Sequence, residues 1–308
     1  MKRIFTLLLG LVLLAGCSKS DDGSNDTDNT LVPIELGAGV NTPSRVVITP
    51  GDPVSGAGIA GWEVASGGQV NYVVVPEWNT TISTTADPDP QTVSWGDTQY
   101  YDPDASTTTH MKAWYPGGTL QPDNKVTFNG QNVKGGFDVL LSDVVSGNKK
   151  DGADGNIAFR HMSAQIKFSV KKGAGLDDGT TIHSITIKEA SLPTGFDLTK
   201  GIDDDGAVTY GGPDDLEIVC GDVKIDDTSD KGKSVGDPVM IKPIAAKQFR
   251  IDIVTNKASY TDQLVTVDDT EVARGTAYNI LLTFTQAGIS LKATVEDWKT
   301  ADGSGNIQ

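Results

Sequence analysis

Apolar residues in this chain of 308 residues recur at every second position in one run after another. Ile34, Leu36, Ala38 and Val40 alternate with Glu35, Gly37 and Gly39, which gives a pleated strand one apolar face. The same pattern returns at Val70-Tyr72-Val74, Met162-Ala164-Ile166-Phe168-Val170, Ile185-Ile187, Phe249-Ile251-Ile253, Tyr278-Ile280-Leu282-Phe284 and Ile289-Leu291-Ala293-Val295. Turn chemistry separates the runs, with Asp-Gly at 151–152, 178–179, 205–206 and 302–303 and Pro-Gly at 50–51 and 116–117. A 3.6-residue period is nowhere sustained. Many short strands between Gly, Pro and Asp turns predict an all-β sandwich rather than an α/β fold.

Parity adds a detail. Ile157, Phe159 and His161 fall on one register and Met162 to Val170 on the other, so the buried face switches at His161-Met162, which a bulge or bend would accomplish. Two Gly- and charge-rich stretches are candidate boundaries, 146–155 and 171–179. The second leaves two pieces that are each long enough for a seven-strand sandwich, and predicts domains over 31–172 and 178–308.

The start of the chain carries an address. Met1-Lys2-Arg3 precedes an apolar run from Ile4 to Leu14, too short to span a bilayer with margin, and small residues follow. That is the build of a secretory signal over residues 1–16 rather than of a membrane helix, and it predicts export. Cys17, directly after Leu14-Ala15-Gly16, resembles a bacterial lipobox, which makes it the candidate lipidation site. Acyl chains bury at about 0.8 kcal/mol per CH₂, so a multiply acylated cysteine would hold the protein on a membrane without a helix. Residues 18–30 are mostly Ser, Asp, Asn and Thr with little to bury, and with Cys17 they read as a disordered acidic tether over 17–30. Its acidic part, Ser20 to Asp28, resembles the tethers that send lipoproteins of Bacteroides-type bacteria to the outer face of the outer membrane.

The formal charge of −16 repels a phosphate backbone or an anionic lipid surface, and nucleic acid is excluded as an expected partner. Cys17 and Cys220 are the two cysteines, so acylation of the first rules out an intrachain disulfide. Cys220 follows Glu217-Ile218-Val219 and reads as a core-facing strand residue.

Catalytic and metal signatures are missing. His110, His161 and His183 each stand alone in a β context without a Cys or acid at ligand spacing, and read as satisfied strand histidines. Asp203-Asp204-Asp205-Gly206 and Asp151-Gly152-Ala153-Asp154-Gly155 have carboxylate density but not the alternating spacing of a calcium loop, so hairpin turns explain them better. No enzyme activity, cofactor or metal is expected.

Several segments, taken in order, resemble the fimbrillin family, the type V pilus subunits of Bacteroidales. Met111-Lys112-Ala113-Trp114-Tyr115-Pro116 is similar to the family's Ala-aromatic-Tyr-Pro strand, preceded by Trp95 and Tyr100-Tyr101. Phe137-Asp138-Val139-Leu140-Leu141, then Ile157 to Ile166 with its Phe-x-His pattern, then Gly275 to Ile280 leading to Val295-Glu296-Asp297-Trp298 complete the likeness. The resemblance implies two tandem transthyretin-like sandwiches and a lipid-anchored precursor on the outer membrane. It further implies that an arginine-specific protease removes the first strand and that a neighbouring pilus subunit's strand replaces it. Arg45, between the alternating strand Ile34 to Val40 and Val46-Val47-Ile48, is the candidate cut, with Val46 as the new first residue. The alternative at Arg45 is a surface turn in an uncut anchor subunit. Donor and acceptor candidates are the first run (Ile34, Leu36, Ala38, Val40) and the last (Ile289, Leu291, Ala293, Val295).

A second class of function stays open, that of a glycan-binding outer-membrane lipoprotein of a polysaccharide-uptake system. It would show a coplanar pair of exposed tryptophans among Trp62, Trp78 and Trp95. A removable first strand over an apolar groove would favour the pilus subunit, and convergent acids in a cleft would favour a hydrolase.

Overall fold

The computed structural model describes residues 30–40, 53–84, 91–130, 132 and 134–296. The described residues form strands and turns throughout. The first sheet has nine strands: β1 (Gly37–Val40), β2 (Ala57–Val64), β3 (Trp78–Thr84), β4 (Gln91–Trp95), β5 (Thr108–Tyr115), β8 (Leu140–Ser142), β9 (Val145–Asn148), β10 (Gly152–Ala153) and β11 (Ile157–His161). Their order is β10-β9-β5-β2-β3-β4-β1-β11-β8, and β8 also pairs with β5 through Trp114↔Leu141, so the sheet rolls round and closes on itself. Ile34, Ala38, Ile59, Ile82, Met111, Leu140, Ile157 and Phe159 fill its interior.

A smaller sheet joins the two halves of the chain. It runs β15 (Val208–Tyr210), β14 (Pro193–Asp197), β7 (Lys125–Phe128), β6 (Gly118–Leu120), with two strands from each side of the expected boundary. Its core packs Val126, Phe128 and Phe196 against Trp62, Trp114 and Leu141. β2 therefore has Ala57 and Ile59 in one core and Ala60 and Trp62 in the other, and is buried continuously from Ala57 to Trp62. Burial on both faces erases the alternation that a half-exposed strand shows.

The remaining strands make a sandwich of two sheets. One is β17 (Lys233–Ile241), β12 (Ala164–Lys172), β20 (Ala277–Thr285), β21 (Gly288–Glu296); the other is β16 (Asp214–Lys224), β13 (Thr181–Ala190), β18 (Gln248–Thr255), β19 (Ser259–Thr266). Ile166, Phe168, Val170, Ile280, Leu282 and Phe284 of the first meet Ile182, Ile185, Ile187, Ile251 and Ile253 of the second, all buried. Cys220 lies in this core, its thiol pushed up to about 12 by burial.

Three expectations change. β12, placed by the sequence with residues 31–172, hydrogen-bonds along its length to β17 and β20 of the second half. The parity switch at His161-Met162 is the point where the chain leaves the rolled sheet and enters the sandwich, not a bulge within one strand. Val70-Tyr72-Val74, predicted as a strand, is a loop. Buried side chains capture its backbone instead of a neighbouring strand: Trp62 Nε1 donates to Val74 O at 2.9 Å and Asn124 Nδ2 to Tyr72 O at 2.7 Å.

Candidate functional site

The first strand occupies a slot. Ahead of it, Ile34 N donates to Gln99 O at 2.9 Å and Tyr101 N to Val32 O at 3.0 Å, which fixes the entry of the chain. β1 then pairs antiparallel with β4 (Gly37↔Thr92, Ala38↔Gln91) and parallel with β11 (Ala38↔Ile157, Gly39↔Ala158, Val40↔Phe159). Ile34, Leu36 and Ala38 are buried against Ile82, Val93, Ile157 and Phe159, while Glu35 is exposed. The side chain of Val40 lies outside the described residues. A strand held by short ladders on both sides, with an apolar floor beneath it, can be lifted out only by leaving two unpaired edges and an open groove.

The last strand is different. β21 sits at the edge of its sheet and pairs with β20 alone, from Ala277↔Glu296 to Thr285↔Gly288. Ala293 is buried, and Ile289, Leu291 and Val295 are half-buried against the sandwich core. Cys17, Arg45 and Val46 lie outside the described residues.

Arg160 and Arg250, also possible protease sites, stand in strands paired on both sides, β11 between β1 and β8 and β18 between β13 and β19. Their side chains make ion pairs at the surface, Arg160 with Asp143 and Asp203 and Arg250 with Asp262 at 2.8 Å. The two-sided ladder keeps their backbones from a protease cleft.

The tryptophans do not make a sugar platform. Trp62 is buried, and Trp78 and Trp95 meet edge-on, 6.0 Å apart at 71°, half-buried on the core of the rolled sheet. The acid-lined cleft of about 720 Å³ contains Asp203, Asp204, Glu271, Lys242, Arg274 and Tyr210. Two of its carboxylates are engaged: Asp203 pairs with Arg160 and Arg274, and Asp204 accepts from Gly201 N at 2.7 Å inside its own turn. Each histidine has a local partner, His161 with Asp138 at 2.8 Å, His110 with Ser146 Oγ at 2.9 Å and His183 with Asp222 at 3.1 Å. Among the described residues no cluster of three or more His, Cys, Asp or Glu is arranged for a metal.

Sequence reasoning missed Lys112. Its side chain is buried, and its ammonium rests 3.6 Å over the Tyr72 ring while donating to Leu198 O and Lys200 O. It also missed the exposed tip Val73-Val74-Val75, where the run Val70-Tyr72-Val74 ends.

Comparisons with known proteins agree with this architecture. A solved candidate cell adhesion protein from Bacteroides uniformis superposes with a TM-score of 0.58 at 20% identity, over 91% of this chain and all of that one. A fimbrial protein from Bacteroides vulgatus gives 0.53 at 14% identity over 87% of this chain and 99% of its own. These likenesses establish the fold. By sequence, Fim1C, a candidate fimbrium subunit of Bacteroides uniformis, is 23% identical over 99% of this chain and 97% of its own length. The fimbrillin-like family model matches residues 51–298, most of the chain, and the protein belongs to the fimbrillin-like family.

Proposed function

We propose that this protein is a surface-exposed lipoprotein precursor of a type V pilus, a fimbrial subunit or accessory component with an adhesive role and no enzymatic activity. Cys17 anchors the precursor in the outer membrane. An arginine-specific protease cuts after Arg45, the first strand leaves, and a strand from another pilus subunit fills the groove, so that release from the lipid and polymerisation into an extracellular fibre are one event. The observation that carries the reading is the position of β1. It lies between β4 and β11 with Ile34, Leu36 and Ala38 in the core, and the chain between Val40 and Pro53 contains Arg45. Main-chain hydrogen bonds along both edges would supply affinity, and the alternating pockets would supply register. β21, at an edge and held on one side only, is the strand best placed to be offered. The edge-on tryptophan pair gives the glycan-binding alternative no support.

N-terminal sequencing of protein recovered from the cell surface tests the reading. A start at Val46 in assembled fibres, with Arg45→Ala retained as a lipid-anchored monomer, is the expected result. Fibres formed normally by Arg45→Ala, or chains that always begin at Cys17, would overturn it.

A further inference from the structure

Among the described residues eight large apolar side chains are exposed, and five of them gather at one end of the rolled sheet: Leu31, Val73, Val74, Val75 and Tyr100. Topology puts them there. β2 and β3, β3 and β4, and β4 and β1 are each antiparallel, so β1 runs against β2. The loop between β2 and β3, the segment after β4 and the entry of the chain therefore share an end. Val73 to Val75 belong to that loop, Tyr100 follows β4, and Leu31 stands two residues before Pro33, which bridges to Tyr100. The other three, Val144, Val219 and Leu264, stand singly elsewhere on the fold. We propose that this end is a membrane-docking surface: the Val73-Val74-Val75 tip, with Leu31 and Tyr100, rests in the interface of the bilayer to which Cys17 attaches. This rests on the lipoprotein reading above and gives the anchored precursor a fixed face towards the membrane.

The tip is held in place from within. Trp62 Nε1 donates to Val74 O at 2.9 Å, and Asn124 Nδ2 donates to Val74 O at 2.6 Å and to Tyr72 O at 2.7 Å. Asn124 is fully buried with φ at 60°, a left-handed conformation uncommon outside glycine. A buried side chain and a rare backbone conformation thus fix three consecutive valines in water, Val73 at 70% exposure, and contiguous exposed apolar groups of this kind mark a contact surface. The anchor says what covers it. Residues 18–30 separate Cys17 from Leu31 and join the fold at this end, a reach of at most about 45 Å. Tethering turns a contact too weak to hold a free protein into an intramolecular one. Valines gain by leaving water, and tyrosine suits the boundary between headgroups and acyl chains. Charge decides the kind of lipid. Segments 30–36, 65–77 and 96–107 contain Glu35, Glu77, Asp97, Asp102 and Asp104 but no Lys or Arg, so this end is repelled by anionic headgroups and fits a zwitterionic interface. Cutting after Arg45 would remove Cys17 and Leu31 together, and docking would end with the same cut.

The test uses the acylated chain from Cys17 onwards in phosphatidylcholine vesicles, with a polarity-sensitive fluorophore on Val74→Cys, on Tyr100→Cys or, as control, on Leu264→Cys. Acylation blocks Cys17 and burial shields Cys220, so the introduced thiol takes the label. Lipids brominated near the headgroup end of their chains should quench the probes at positions 74 and 100 at least twice as strongly as the probe at 264. Val73→Ser, Val74→Ser and Val75→Ser together, all at exposed positions, should leave melting temperature and co-flotation unchanged and bring quenching at position 100 down to the control. Co-flotation with equal quenching at all three positions overturns the docking and leaves the anchor intact. A chain that carries no acyl group and does not float overturns the anchor and the docking with it. Quenching that rises when phosphatidylglycerol is added overturns the apolar contact in favour of a charge-driven one. A probe at position 74 that stays in water on vesicles, yet shifts to shorter wavelength in assembled fibres, overturns the lipid contact and assigns the tip to a neighbouring subunit.

Discussion

The ammonium of Lys112 donates to the carbonyl oxygen of Leu198 at 2.7 Å, tying β5 of the rolled sheet to the turn after β14 across 86 residues of sequence. A second bond reaches Lys200 O at 3.0 Å, and the Tyr72 ring lies 3.6 Å beneath. Carbonyl dipoles and a ring face replace the water that a buried cation gives up, which holds the two halves of the chain against one small shared sheet.

That burial has a pH signature. Desolvation lowers the Lys112 pKa to about 8, with Asp204 and Asp197 pulling the other way. The unfolded chain keeps an ordinary lysine near about 10.4, so between those values it binds more protons than the fold, and stability rises with pH through that window. In chemical denaturation, the wild type should gain on Lys112→Met as pH is raised from 7.5 to 10. A constant difference across that range would show that Lys112 is not desolvated in the fold.

Glu63, at the end of β2, behaves in the opposite sense. Burial first, then Asp102 and Glu77, raise its pKa to about 6. A carboxyl raised above its unfolded value stabilises the fold fully below the unfolded pKa and loses that contribution as pH rises through about 6. Glu63→Gln should match the wild type at pH 4 and be the more stable protein at pH 7, measured as melting temperature in matched buffers.

Two glycines of β2 lie under indole rings. A Cβ on Gly58 would stand 2.1 Å from Cε2 of Trp114, and one on Gly61 2.3 Å from Cε2 of Trp78. Trp114 is 2% exposed and has nowhere to go, whereas Trp78 is only half-buried and can swing outward. Overpacking costs roughly 1–3 kcal/mol, so Gly58→Ala should lie near the top of that range, about 3 kcal/mol, and Gly61→Ala near the bottom. Equal losses in urea titrations would contradict the difference in freedom between the two rings.

What the sequence made legible follows from how local the signal is. Strands buried on one face, such as β18 and β20, show their period directly in Phe249-Ile251-Ile253 and Tyr278-Ile280-Leu282-Phe284. The parity switch at His161-Met162 was visible, but its meaning was not, because a bulge and a passage between sheets leave the same trace in one strand's residues. Lys112 was illegible for a related reason. A lysine in an apolar strand reads as solvent-facing, and the carbonyls that receive it belong to a turn far along the chain. Val70-Tyr72-Val74 alternates as a strand does, yet Trp62 and Asn124 take its carbonyls and leave Val73 to Val75 exposed.

The two candidate exchange strands should respond differently to truncation. Ile34 is 1% exposed just ahead of β1, its N–H bonded to Gln99 O, whereas Leu291 is half-buried on an edge strand. Removing most of a buried aliphatic side chain costs about 2–5 kcal/mol and less where the site already meets solvent, so Ile34→Ala should destabilise the uncut chain by about 3 kcal/mol and Leu291→Ala by about 1. Processing should reverse the ranking. Once residues up to Arg45 have left, Ile34 is no longer part of the folded subunit, and fibres from Ile34→Ala should be as resistant to denaturant as wild-type fibres. Leu291 would then sit in a neighbour's slot with ladders on both sides, and Leu291→Ala fibres should dissociate at lower denaturant than wild type. Fibres in which Ile34→Ala remains the more damaging change would mean that the first strand never leaves.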